Sequence, residues 1–223
     1  TATRWFRLII ITIALGLWFL TQSLIGAREL PAGQAAAGEL LSDGDGLFAV
    51  TAGLHRALEA NPGMADALLI ASSLGIDLLA LFLIVATIFG STIRPFLALI
   101  ILFMLRQICQ GLSPLPAPAG MIWHDPGFPS LLVTYGVAND FFFSGHTAIA
   151  TLGAIEVGRL GGRWWIVGTL LALFEMATVI ALRAHYTMDV YAGAITALLV
   201  ATLAVTLAPR VDALIAREGD TVR

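Results

Sequence analysis

The stretch Phe141-Phe-Phe-Ser144-Gly145-His146-Thr-Ala-Ile-Ala-Thr-Leu-Gly-Ala-Ile-Glu156-Val157 joins a polar mouth to an apolar run. Serine before an apolar helix is a favoured N-cap, and glycine after it lets another group approach the backbone closely. Free N–H groups and the helix dipole make such an end an anion site, and His146 lies in its first turn. The run behind it is rich in Ala, Gly and Thr, which suits a helix packed tightly inside a membrane bundle.

Composition supports the membrane setting. The 223 residues are 58% hydrophobic and 12% charged, with a mean hydropathy of +0.89, against about 25% charged residues in an ordinary soluble domain. Too little polar surface remains to cover a water-soluble globule. The net charge of −3 and the lack of a basic stripe give no sign of a nucleic-acid partner. Cys109, the single cysteine, sits in an apolar run and reads as a small buried hydrophobe.

Runs near the roughly 20 residues that cross a bilayer fall at Leu8–Ile25, Ala65–Phe89, Phe96–Leu112, Phe141–Val157, Trp164–Leu182 and Val190–Leu207. Backbone in hydrocarbon must satisfy its own hydrogen bonds, so these are helices. The expected fold is all-α: one integral membrane domain of six transmembrane helices with an outer interfacial helix. Residues 1–63 would hold the first span and the outer amphipathic segment, 64–210 a five-span catalytic core, and 211–223 a cytoplasmic tail. The first run reads as a signal anchor rather than a cleaved signal peptide. Leu47, Val50, Leu54 and Leu58 recur at helical spacing, marking the interfacial helix, with His55 on its wet face. The proline-rich segment from Ser113 to Pro129 reads as a rigid outer loop, with Trp123 and Tyr135 suited to the membrane interface.

If the spans alternate, Arg4 and Arg7, Arg94, Arg159 and Arg163, and Arg210, Arg217 and Arg223 share one side, which the positive-inside rule makes cytoplasmic. Both termini then lie in the cytoplasm. His146 and His185 face the exoplasmic, periplasmic or lumenal side together. His185 and Asp189 in His185-Tyr186-Thr-Met-Asp189 are spaced i, i+4, so a helix would let the carboxylate fix the imidazole tautomer and leave the other nitrogen as a nucleophile. Two histidines and a carboxylate at a lipid boundary suit phosphoryl transfer. Asp77, Arg106 and Glu175 are charges inside spans and so are functional hypotheses. Arg106 with Asp77 would make an interhelical pair. Glu175, roughly 15 Å below His185 at 1.5 Å per residue, would line a cavity or stay protonated.

Phe-Ser144-Gly145-His146-Thr and His185-Tyr186-Thr-Met-Asp189-Val resemble the motifs of the sphingomyelin synthases and their relatives, a branch of the type-2 phosphatidic acid phosphatase superfamily. Arg94-Pro-Phe-Leu, Met104-Leu-Arg106-Gln and Leu115-Pro-Ala-Pro-Ala-Gly120 are similar to that branch's third span and proline loop, so the likeness runs from about Arg94 to Val200. The resemblance implies that His185 attacks phosphorus, Asp189 orients it, and His146 protonates the departing diacylglycerol oxygen. Asp140 would assist His146 or hold the headgroup. Ser144, Gly145, Arg106, Arg183, Tyr186 and Glu175 become candidates for holding substrate. No metal or cofactor is implied.

Three departures favour the transferase branch over the phosphatases: Thr87 replaces a lysine seven positions before Arg94-Pro95, Phe143 replaces a proline, and Arg183 stands two rather than six positions before His185. The expected partners are a phospholipid donor and a lipid-alcohol acceptor, ceramide or diacylglycerol. The activity expected is transfer of phosphocholine or phosphoethanolamine through a phospho-histidine. The alternatives are a lipid phosphatase or phospholipase C-like hydrolase using water, and a non-catalytic lipid carrier.

Overall fold

The computed structural model describes residues 2–28, 34–133, 135 and 141–221. Its helices are α1 (Ala2–Gly26), α2 (Gln34–Asp43), α3 (Gly46–Ala60), α4 (Pro62–Phe89), α5 (Arg94–Leu112), α6 (Gly145–Gly158), α7 (Trp164–Ala181) and α8 (Thr187–Thr221), with no strand among the described residues. Proline in the first turn starts α4 and α5, where its missing N–H costs nothing.

Among the described residues five helices are long and apolar enough to cross a membrane: those within α1, α4, α5, α7 and α8. They carry a large exposed apolar surface, including Trp5, Ile9 and Ile13 on α1 and Trp165, Leu170 and Leu173 on α7, as lipid contact requires. The expected fourth span is different. α6 has 14 residues, about 21 Å at 1.5 Å per residue, against a hydrocarbon core of about 30 Å. It is short because the helix begins only at the Ser144 cap, after Phe141–Phe143.

α6 is the centre of the bundle, packed by α4, α5, α7 and α8. Its small residues permit this. A Cβ on Gly153 would meet Leu79, and one on Gly168 of α7 would stand 2.8 Å from the Cα of Ala154. Although short, α6 runs between two polar ends.

At one end Arg94 grips Glu156 with two bonds, Nε to Oε1 at 3.1 Å and Nη2 to Oε2 at 2.7 Å, and Arg159 joins the same carboxylate at 3.3 Å. Nearby, buried Arg7 donates to the carbonyls of Thr87, Gly90 and Ser91 and to Asp212. The start of α1, the α4–α5 turn and the far part of α8 are therefore fastened at one end, as the alternation of arginines predicts. Thr87 and Arg94-Pro95 belong to this end, and His146 to the other, so the Arg-Pro pair is not part of the histidine site.

At the histidine end a helical and looped cap covers the bundle. α2 backs onto the proline loop, where Ala119 N–H donates to Ser42 Oγ. α3 packs on α7, and His55 is 2% exposed with Nδ1 2.9 Å from the Ala181 carbonyl. His55 is thus buried, contrary to the wet-face expectation. Phe48, His55 and Leu58 face the bundle, whereas Leu47, Val50 and Leu54 of the apolar stripe are exposed.

The loop after α5 does not stay outside either. Going along α4, His124 meets Asp66 at 2.7 Å, Tyr135 meets Ser73 at 2.6 Å, and Asp77 accepts from the N–H groups of Leu131 and Leu132. From Asp66 to Asp77 is a descent of about 16 Å along the helix. Asp77 therefore anchors this loop and does not serve the pairing with Arg106 expected of it. Irregular backbone at such depth is tolerated when protein surrounds it.

Candidate active site

The sequence forces a close meeting at the start of α6. Ser144 Oγ accepts from Thr147 N–H at 3.3 Å, the expected cap. The Ser144 N–H donates to the Asp189 carbonyl at 3.2 Å, tying α6 to the first turn of α8. Gly193 makes this possible, since a Cβ there would lie 2.7 Å from the Ser144 carbonyl oxygen. Gly145 serves a different partner. Arg106 donates from Nε to the Phe143 carbonyl at 2.9 Å, and a Cβ on Gly145 would lie 3.2 Å from that Nε and 3.3 Å from Cζ. The group approaching the glycine backbone is a guanidinium.

His185 precedes α8 rather than lying on it, because the helix begins at Thr187. The expected pairing on a helical face is replaced by a capped turn. Asp189, 1% exposed, accepts the Tyr186 N–H on Oδ2 at 3.0 Å. The same oxygen is 3.7 Å from His185 Nδ1, an ion-pair distance longer than a hydrogen bond. Asp189 thus both closes the turn carrying His185 and sets a negative charge beside its Nδ1. Asp45 performs a matching task at the start of α3. It caps α3 through the N–H groups of Leu47 and Phe48 and also accepts from the N–H and hydroxyl of Thr187. An Asp-Gly pair before an amphipathic run was the available signal.

Both imidazoles reach one cavity of about 60 Å3, lined also by Arg106, Gly145, Trp123 and Phe141. Trp123 stands edge-on to His146 with ring centroids 5.1 Å apart, and Phe141 stands edge-on to His185 at 6.2 Å. Buried His146 Nε2 and His185 Nδ1 have no hydrogen-bond partner among the described residues, and the second of these is the nitrogen that faces Asp189. Trp123, expected at the membrane interface, and Phe141 form the walls.

Other candidates lie elsewhere. Arg183, at φ 51°, donates to the Ala119 carbonyl at 3.2 Å and stacks 5.3 Å from the Phe48 ring centre. It clamps the proline loop and is not a wall of the histidine cavity. Tyr186 packs on Phe48 and donates to the Pro116 carbonyl at 3.1 Å. Burial raises its hydroxyl pKa, keeping it a neutral donor. With Thr187 and Asp189 it borders a second, largely apolar pocket of about 490 Å3. Glu175 is fully buried and accepts the Ser72 hydroxyl at 2.6 Å, away from the cavity walls. Asp140 lies outside the described residues. No cluster of three metal-type ligands occurs among the described residues.

The arrangement is able to hold a phosphate between Arg106, the α6 N-terminus and two imidazoles, with aromatic rings around it. The chain is 24% identical over 147 residues to phosphatidylcholine:diacylglycerol cholinephosphotransferase 1 of Arabidopsis thaliana, covering 66% of this chain and 48% of that protein. It therefore spans about half the length of that relative. The likeness is to a cholinephosphotransferase and not to a sphingomyelin synthase in particular. No solved structure matches the chain. The model of the AtPDCT1/2 family matches residues 44–206, which include both histidine motifs, Arg106 and Asp45, and the chain belongs to that family.

Proposed function

We propose that this protein moves phosphocholine from a glycerophospholipid to a lipid alcohol, diacylglycerol foremost, by double displacement at His185. The observation that carries the reading is the shared cavity: His146, His185 and Arg106 line one small space at the start of a helix. His185 Nε2, the ring nitrogen away from Asp189, attacks phosphorus. The bond from phosphorus to the diacylglycerol oxygen breaks, and protonated His146 gives that oxygen its proton. Neutral His146 then takes the proton of the incoming hydroxyl. That oxygen attacks phosphorus, the phosphorus–nitrogen bond breaks, and His185 is restored. Asp189 stabilises the positive imidazole during the first step. Arg106 and the α6 N–H groups offset charge on the phosphoryl oxygens. Trp123 and Phe141 offer ring faces to a quaternary ammonium.

The site opens to the exoplasmic, periplasmic or lumenal side, with Arg7, Arg94 and Arg159 cytoplasmic. α6 together with residues 141–144 completes a sixth crossing, and the shared end of Arg7 and Asp212 supports it. The exposed Leu47, Val50 and Leu54 support α3 as the interfacial helix.

The test incubates purified protein with choline-labelled phosphatidylcholine and diacylglycerol, ceramide, or no acceptor. Label appearing in new phosphatidylcholine made from the added diacylglycerol is expected. Label in the ceramide product would make ceramide the acceptor. Release of phosphocholine at the same rate without acceptor would make the protein a hydrolase, and unchanged lipid pools would leave only the carrier.

A further inference from the structure

α1 lies outside the family-matched residues 44–206, yet it forms part of the histidine cavity through Trp18 and Gln22. Trp18 is 8% exposed. Its ring stacks on Phe103 at 4.6 Å and an 18° interplanar angle, and its carbonyl accepts from Gln107 at 3.1 Å. Further along, Arg28 fastens the outer end of α1 to the Gln110 and Gly111 carbonyls. The indole is thus held in place, but its Nε1–H is buried without an acceptor among the described residues. Buried tryptophan N–H groups ordinarily find a partner, and this unpartnered one belongs to a residue that lines the histidine cavity.

Depth identifies that partner. α5 runs from the Arg94 end toward the histidine end, so Phe103, under the Trp18 ring, lies about 4.5 Å deeper than Arg106. In a glycerolipid whose phosphorus sits beside Arg106 and the histidines, the groups one step deeper are the acyl-ester carbonyls. They are neutral acceptors, matched to a neutral donor.

On the reading of the cavity given above, we propose that Trp18 Nε1–H donates to an acyl-ester carbonyl of the bound glycerolipid. α1 thereby sets how deep the lipid sits, and hence where its phosphorus stands relative to His185. Trp18 is a positioning residue, and the ligand class is a diester glycerolipid as opposed to its dialkyl-ether counterpart.

The test is equilibrium binding of dioleoyl phosphatidylcholine and of its dialkyl-ether analogue to detergent-purified full chain, wild type and Trp18→Phe. Phenylalanine keeps an aromatic ring against Phe103 and removes the donor. One hydrogen bond predicts that wild type prefers the diester by about threefold to tenfold, and that Trp18→Phe loses this preference by weakening diester binding alone. Equal loss for both lipids, or an unchanged preference in Trp18→Phe, overturns the proposal. If Trp18→Phe does not fold, the wild-type comparison decides, and equal affinity for the two lipids rejects the contact. The binding assay needs no turnover, so an inactive wild type would count against the transferase reading alone.

Discussion

Gly193→Ala tests whether the α6–α8 contact sets the geometry of the site. The added Cβ would stand 2.7 Å from the Ser144 carbonyl oxygen, which is backbone and cannot swing away. Reaching an ordinary contact of 3.4 Å requires the start of α6 to move about 0.7 Å from α8, and His146 moves with it while His185 stays with α8. A misplacement near 1 Å costs about 100-fold in rate, so a 10- to 100-fold loss of headgroup transfer is expected. Overpacking costs about 1–3 kcal/mol of stability.

Gly168→Ala is the matched control. Its Cβ would meet the Ala154 backbone at 2.8 Å, between α6 and α7 and ten residues along α6 from Ser144. A similar stability loss is expected, with transfer per folded molecule within about threefold of wild type. Transfer is measured by mass spectrometry of lipid products, normalised to protein that is folded by thermal unfolding. Gly193→Ala with wild-type transfer, or both variants losing transfer equally, would show that the α6–α8 contact does not set the site.

Arg106→Lys loses the Nε bond to Phe143 and the planar contact on Gly145, and transfer is expected to fall about 10- to 100-fold with little change in unfolding temperature. Activity within twofold of wild type would remove Arg106 from the site. Glu156→Ala leaves Arg94 without its bidentate partner and should destabilise by about 3 kcal/mol, read by thermal unfolding, with transfer per folded molecule unchanged. Asp45→Ala removes the caps of α3 and α8 together and should cost about 1–2 kcal/mol. It should also lower transfer, measured with the same lipid assay, because the turn carrying His185 loosens.

Much of this was legible in the residues. The apolar runs became α1, α4, α5, α7 and α8 because hydrophobicity along a helix is a local property. The Ser144 cap was legible for the same reason. His146 and His185 were expected to meet because each opens an apolar run, and Arg7, Arg94 and Arg159 lie together at the opposite end. What escaped depends on partners far apart in the chain. The role of Asp189 as a cap needed the start of α8, two residues later than the spacing suggested. The burial of His55 needed α7, whose Ala181 carbonyl it meets 126 residues away. The descent of the proline loop along α4 could not be read from prolines, which mark irregular backbone but not the wall it settles against. Arg183 and Arg106 were equal candidates for the phosphate, and only the loop clamped by Arg183 separates them.

The proposed transfer passes through a covalent phosphocholine on His185, and trapping that adduct tests it. Wild-type protein is quenched within the first turnover on choline-labelled phosphatidylcholine, without acceptor, and its peptides are mapped by mass spectrometry. An acid-labile, base-stable phosphocholine adduct is expected on the peptide holding His185, discharged by added diacylglycerol and missing in His185→Asn. Full transfer activity in His185→Asn, or an adduct on another residue, would contradict it.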